Sequence, residues 1–328
     1  MRPSISVVIP TSGRPQYLPR AIGSALAGID AKDAEVIIVP NGPDDSWLEA
    51  MRPYRDNSSV SVIPVREANA NTARNTGLAH ARGEYVRFLD DDDYLFPEGA
   101  ARQYELISSS GADVVSGSVQ LIDEGGRCLE VWHQPDIDDL CTAVLGPLRN
   151  CLPTAHVYRR SCLGSLEWNP ATVVRQDVEW LLDLCASTEL RWHKTRDVVG
   201  VWQQHPKQRV SSKIHINEIS KLTVPMILKA YNLLQKENRL SESRRQAASL
   251  ALWGFTVRVF HFDPIYWSRV AHTARKIHPA VRPLYASYNS PAALRLHPLL
   301  ILWMDLPKRW AFYQVRQLMD RFSVGRKR

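Results

Sequence analysis

The chain has 328 residues, 45% hydrophobic and 23% charged, with Lys+Arg 41 against Asp+Glu 34 and a net charge of +7. That balance excludes disordered and collagen-like chains and leaves length for one large domain or two modest ones. The longest unbroken apolar run, Leu299 to Met304, is far short of the ~20 residues that span a bilayer, so no transmembrane helix is expected.

The N-terminus has no apolar h-region, so no signal peptide is expected. Ile5–Pro10 is a short β-branched run that ends at Pro and predicts a buried strand. Pro15 to Ala27 carries Leu18, Ala21, Ile22, Ala25 and Leu26 at helical spacing. Glu35–Val39 predicts a second buried strand, stopped by Pro40-Asn41-Gly42, and Val60–Val65 a third. Asn71–Ala81 predicts a helix, Tyr85–Leu89 a fourth strand, Pro97–Ser109 a helix and Asp113–Gly117 a fifth strand. This alternation points to an α/β fold with a mainly parallel central sheet. Ligands of such sheets bind beyond the carboxyl ends of the strands, where Pro10-Thr11, Asn41 and an Asp run converge.

From Val119 to His205 the pattern is less regular, with a turn at Glu124-Gly125-Gly126-Arg127, an extended stretch at Cys151–Arg159, a helix at Asp177–Ala186 and a strand at Val198–Gln203. After Ser212 the texture is helical over Ile216–Lys236, Ser241–Phe262, Pro264–His278 and Pro307–Phe322. Asp263-Pro264 and Ser290-Pro291 have N-cap chemistry followed by Pro. The expected division is an α/β domain at 1–212 and a helical extension at 213–328. Charge follows it: residues 1–214 hold 22 basic and 28 acidic residues, and 215–328 hold 19 and 6. The five Cys show no Cys-x-x-Cys spacing, which argues against zinc or a disulfide framework and fits a cytoplasmic protein.

Asp90-Asp91-Asp92-Asp93 directly follows an apolar strand. Adjacent carboxylates raise one another's pKa, and a hard cation with oxygen ligands relieves them. The alternative is a solvated turn capping the helix near Pro97, a task for which one Asp suffices.

Ser6-Val7-Val8-Ile9-Pro10-Thr11, followed by Arg14-Pro15 and Leu18, resembles the opening of family 2 glycosyltransferases. Asn71-Thr72-Ala73-Arg74-Asn75 with Gly77-Leu78, then Gly83-Glu84-Tyr85 and the strand that ends in the Asp run, resembles the segment that follows. The resemblance covers residues 1–120, is looser to 212 and does not reach the tail. It implies a GT-A fold and inverting transfer from a nucleotide-sugar with Mn²⁺ or Mg²⁺. Pro10, Thr11 and Arg14 would line the nucleotide pocket, Arg74 would face the diphosphate or sugar, Asp90 or Asp91 would hold ribose and metal-bound water, and Asp92 the metal. Many members carry an Asp pair after the second strand, where this chain has Asn41. An amide there can hydrogen-bond a base edge without supplying charge, and a UDP-sugar remains the expected donor.

In Gln176-Asp177-Val178-Glu179-Trp180 the family's Glu-Asp becomes Gln-Asp, so Asp177 is the expected general base. A second reading makes it an N-cap. Glu179 is the reserve candidate. Trp202-Gln203-Gln204-His205-Pro206 resembles the family's aromatic-x-x-His segment, which would bring His205 to the metal or diphosphate. Cys151 to His156 would line the acceptor side by the same analogy.

The tail places Ala311, Val315, Leu318 and Phe322 on one helical face among Trp303, Trp310, Phe312, Tyr313, Lys308 and Arg309. That suits contact with an anionic membrane surface, the alternative being a basic face turned to solvent. No nucleic-acid-binding motif is present. The expected acceptor is a glycan or lipid-linked molecule of surface polysaccharide synthesis. Two rivals remain: a nucleotidyltransferase, which would want a Lys in the loop now reading Thr11-Ser12-Gly13-Arg14-Pro15, and a non-catalytic sugar-binding scaffold, which would be expected to lack the Asp run or Asp177.

Overall fold

A computed structural model describes residues 4–28, 33–147, 151–204 and 214–324. The chain forms two compact units, Met1–Val144 with Leu148–Lys213, and Leu145–Pro147 with Ile214–Arg328.

The first unit contains, in order, β1 (Ile5–Thr11), α1 (Leu18–Ala27), β2 (Ala34–Pro40), α2 (Trp47–Ala50), β3 (Val60–Val62), α3 (Ala70–His80), β4 (Tyr85–Phe88), β5 (Tyr94–Leu95), α4 (Pro97–Ser110), β6 (Val114–Ile122), β7 (Cys128–Trp132), α5 (Leu140–Leu145), β8 (His156–Arg159), α6 (Gln176–Ser187) and β9 (Trp192–Gln203). The strands form one sheet in the order β3-β2-β1-β4-β8-β6-β9-β5, with β7 paired to β6. The expected parallel arrangement holds across β3-β2-β1-β4. Beyond it the sheet is mixed: β8 runs antiparallel to β4 and β6, β6 and β9 are parallel, and β5 and β7 are antiparallel additions.

β1 and β2 are buried along their whole length, because helices cover both faces of this part of the sheet. Val7 and Ile9 join the core with Leu18, Ala21 and Ile22 of α1, while Val8 faces α3. A Cβ on Gly77 of α3 would lie 2.3 Å from Val8 Cγ1 and 3.3 Å from Val39 Cγ2, so α3 lies this close to β1 and β2 only with glycine there. Asn69 starts α3 by accepting hydrogen bonds from the amides of Asn71 (2.9 Å) and Thr72 (3.2 Å).

β9 begins at Trp192, six residues before the sequence pattern suggests. Its first half is polar and half-exposed, so alternation there is weak, and pairing with β6 sets its extent.

The second unit contains α7 (Ile216–Lys236), α8 (Glu242–Val259), α9 (Pro264–Ile277) and α10 (Pro298–Val324). Asp263 caps α9 through the Tyr266 amide (3.1 Å). Trp267 Nε1 donates to Asn217 Oδ1 at 2.8 Å, which joins α9 to α7. α10 starts nine residues earlier than expected and keeps Pro307 inside it, although proline normally ends or kinks a helix. Ser290-Pro291 leads only to a short 3-10 turn at Ala293–Arg295. Among the described residues no helix is long and apolar enough to cross a membrane.

Candidate active site

The site collects at the carboxyl ends of β1, β2 and β4. Pro10 and Thr11 end β1. Thr11 Oγ1 donates to Asp91 Oδ2 at 2.7 Å. Asn41, just past β2, donates from Nδ2 to the Thr11 carbonyl at 2.9 Å, so its amide ties two strand ends together. Asp44 is a turn residue, accepting from Gly13 N (3.1 Å) and Ser46 Oγ.

The four Asp divide between two surroundings. Asp90 is partly exposed and meets Arg74 Nη2 at 2.7 Å. Asp91 is fully buried, with Arg14 Nη2 2.5 Å from its Oδ1. Burial pushes the Asp91 carboxyl up to about 7; Arg14 and the Thr11 hydroxyl hold it down, while Asp92 and Asp90 add to the rise. Asp92 accepts from Arg14 Nη1, and its backbone carbonyl accepts from Arg20 Nη2 at 2.9 Å. Asp93 points into the fold, accepting from Thr154 Oγ1 (2.9 Å) and Gln203 N (3.0 Å). Burial and the neighbouring Asp92 and Asp90 raise it well above the usual carboxylate range. The run is therefore neutralised largely by guanidinium groups.

Arg74 is buried and central. Nη1 donates to Asn71 Oδ1 (3.0 Å) and to Gln176 Oε1 (3.1 Å), and the guanidinium lies 4.5 Å over the Trp168 ring. Trp168 stacks on Trp180 at 4.8 Å and 8°, with Phe88 edge-on to both. Asn75 clamps the Trp168 backbone, accepting from its N–H (2.7 Å) and donating to its carbonyl (2.8 Å), while Asn71 donates to the Asn169 carbonyl (2.6 Å). Asn71, Arg74 and Asn75, at i, i+3 and i+4, thus turn one face of α3 toward the 168–176 segment. The spacing was visible in the sequence; its target, Trp168, was not.

Asp177 is the second residue of α6 and only partly exposed. Burial raises its carboxyl above the ordinary value against the pull of Arg175, and Arg74 and Asp90 are close enough to act on its charge. It is not the N-cap: Arg175 holds that position in the left-handed region at φ 60°, a conformation that costs a non-glycine residue of order 1–3 kcal/mol. Glu179 accepts from Thr172 Oγ1 and from Asn169 Nδ2 (3.3 Å), and so braces the preceding turn. His156 is fully buried against Ser116 Oγ at 2.6 Å, so it does not line an acceptor cleft. His205, Arg209 and Ser211-Ser212 lie outside the described residues. None of the five cysteines is in a disulfide.

Among the described residues no group of three His, Cys, Asp or Glu is arranged to hold a metal. The donor set at Asp90 and Asp92 is all oxygen, with Asp90 partly exposed and Asp92 buried beside Arg14; oxygen donors of this kind suit a Mg²⁺- or Mn²⁺-type site that takes one or two carboxylates and draws its other ligands from substrate phosphates and water.

Residues 6–161 match the family described as Glycosyl transferase family 2. An uncharacterized glycosyltransferase of Nostoc sp. is 33% identical over 172 residues, 48% of this chain and 52% of that one. A poly(ribitol-phosphate) beta-glucosyltransferase of Bacillus spizizenii is 27% identical over 140 residues, 41% of this chain and 22% of that one. The chain thus spans about half the length, or less, of these relatives. Among solved structures, S. aureus TarS 1–349 in complex with UDP-GlcNAc matches with a TM-score of 0.59 at 18% identity, covering 87% of this chain and 91% of that one. Mannosyltransferase PcManGT of Pyrobaculum calidifontis, in complex with GDP-Man and Mn²⁺, matches with a TM-score of 0.52 at 16% identity, covering 93% and 87%. At these identities the two structures speak to the fold, which is the GT-A type. The strand-end motifs and this fold agree with that match, and residues 6–161 form a glycosyl transferase family 2 domain.

Proposed function

We propose that the protein is an inverting, metal-dependent glycosyltransferase that moves a sugar from a nucleotide-sugar, a UDP-sugar first, to a hydroxyl of a glycan or lipid-linked acceptor in surface polysaccharide synthesis. One observation carries the reading: Arg74 holds Asp90 with one nitrogen and Gln176, the neighbour of Asp177, with another. The donor end and the base end of a displacement therefore meet at one fixed cation.

Asp92, with Asp90 beside it, would hold Mn²⁺ or Mg²⁺, which when bound supplies positive charge to the leaving diphosphate. Thr11 and Asn41 shape the nucleotide edge. The Arg74 fork faces phosphate or sugar oxygens. Asp177 takes the proton of the attacking acceptor hydroxyl, and its raised pKa suits a base that works near neutral pH. The UDP preference draws on the UDP-GlcNAc complex of the TarS neighbour, and the acceptor class on the poly(ribitol-phosphate) relative. A nucleotide-sugar panel with Mn²⁺, scored by nucleotide release, tests the reading. Release from one donor, abolished in Asp92→Ala, is expected; no release or binding with any donor sinks it.

We assign the transfer to residues 1–212 and attachment to 213–328. α10 presents Leu300, Met304 (66% exposed), Ala311 and Val315 outward, flanked by Trp310 and Phe312 (70% exposed) and by Lys308. Arg309 turns the other way, donating to the Val257 carbonyl (2.7 Å) and the Tyr288 hydroxyl (3.1 Å). Such a face suits an anionic membrane surface. The full chain is expected to sediment with phosphatidylserine liposomes and Met304→Glu/Phe312→Glu to remain in the supernatant. Equal sedimentation of the two proteins would overturn the assignment.

A further inference from the structure

The Asp run meets a cation of the chain's own. Arg14 follows Gly13, whose φ of 64° turns the β1–α1 loop back over the strand end, and Asp44 holds that turn through the Gly13 amide (3.1 Å). From there one guanidinium bridges two consecutive carboxylates, Asp91 and Asp92. The Asp91 side chain is 0% exposed and that of Asp92 12%, so water screens neither, whereas the Arg14 side chain is 31% exposed. Burial lowers the pKa of Arg14, but Asp91 and Asp92 more than offset this and raise it above the ordinary value. The cation is fixed between the two carboxylates, and part of it stays open to solvent at the carboxyl ends of the strands.

We propose that Arg14 is an internal counter-ion that competes with the divalent cation for Asp92 and is drawn off by the donor's diphosphate, so that metal and nucleotide bind cooperatively. The inference rests on the metal-dependent reading above. A guanidinium fork fits phosphate as well as carboxylate, so moving Arg14 from Asp92 to a diphosphate keeps its charge paired and leaves the carboxylate to the metal. Each ligand then improves the site for the other by the same factor. Arg20, on the Asp92 carbonyl, keeps the loop in place during the exchange. Without Arg14 the carboxylates lack their counter-charge, and a divalent cation has nothing to displace.

The test is Mn²⁺ binding by the full-length chain, read from the free-ion EPR signal with and without UDP, alongside thermal unfolding. Wild type is expected to bind Mn²⁺ weakly alone and about tenfold more tightly with UDP, inside the roughly 5–150-fold range of measured couplings. Arg14→Gln is expected to bind Mn²⁺ alone more tightly than wild type does, to show a smaller UDP effect, limited to what the phosphates give the metal directly, and to regain thermal stability when Mn²⁺ is added. Arg14→Lys keeps the charge but cannot bridge, and is expected to fall between; it also serves if the Gln variant does not fold. If wild type binds Mn²⁺ with UDP and neither variant gains affinity for Mn²⁺ alone, the counter-ion role is wrong while the metal reading stands. If no protein binds Mn²⁺ under any condition, both fall.

Discussion

Asp177→Asn is expected to fold, to bind the nucleotide-sugar, and to lose about 10²–10⁴-fold in kcat, the span of a general base. The sign of its stability change separates this role from a structural one. Burial raises the Asp177 carboxyl above its ordinary value in the folded protein. A raised acid holds its proton more tightly folded than unfolded, so stability is lost as pH rises above the unfolded value near 4. At pH 7 the ionised side chain therefore costs stability, and the neutral Asn variant is expected to unfold at the same temperature as wild type or a higher one. The wild-type rate is expected to rise with pH through the raised pKa, with an acid limb above that of a free carboxyl. A variant that keeps its rate, or one whose loss of activity tracks a loss of stability, would remove Asp177 as the base.

Trp168→Ala is the largest stability change expected in the first unit. Trp168 is 2% exposed, and truncating such a side chain typically costs about 3–5 kcal/mol. The function is expected to suffer separately, because the ring is the surface on which the Arg74 guanidinium rests. With the ring gone, Arg74 keeps its hydrogen bonds but loses the platform that orients them. Trp168→Phe, which preserves an aromatic face with less area, is expected to recover much of the stability while the KM for the donor stays raised. Urea unfolding and donor kinetics on both variants check this, and a Phe variant with wild-type KM would show that Trp168 only fills space.

The parallel part of the sheet was legible because buried strands leave unbroken apolar runs, and Ile5–Pro10 and Glu35–Val39 are such runs. β9 was only half legible, because its first residues take their conformation from pairing with β6 rather than from their own pattern. Asp177 could be located from its family pattern, but the left-handed Arg175 that launches its helix has no signature in the letters. The Asp run was found at once, yet four identical residues cannot announce which pair points inward. That split depends on partners distant in sequence: Arg14, Arg74, Thr154 and Gln203. Trp168 lies in a loop without period, so nothing marked it as the floor beneath Arg74.

The guanidinium pairing of the Asp run also bears on how fast a donor arrives. A nucleotide-sugar is a polyanion, and four ionised carboxylates at the mouth would repel it at long range and slow each encounter. Here Asp93 and Asp91 are pushed toward their protonated forms, and Arg14 and Arg74 are paired with Asp92 and Asp90. Among the described residues, the charges of this cluster that remain partly exposed are one of each sign, Asp90 and Arg14. The run then adds less long-range repulsion to the donor's approach than four free carboxylates would.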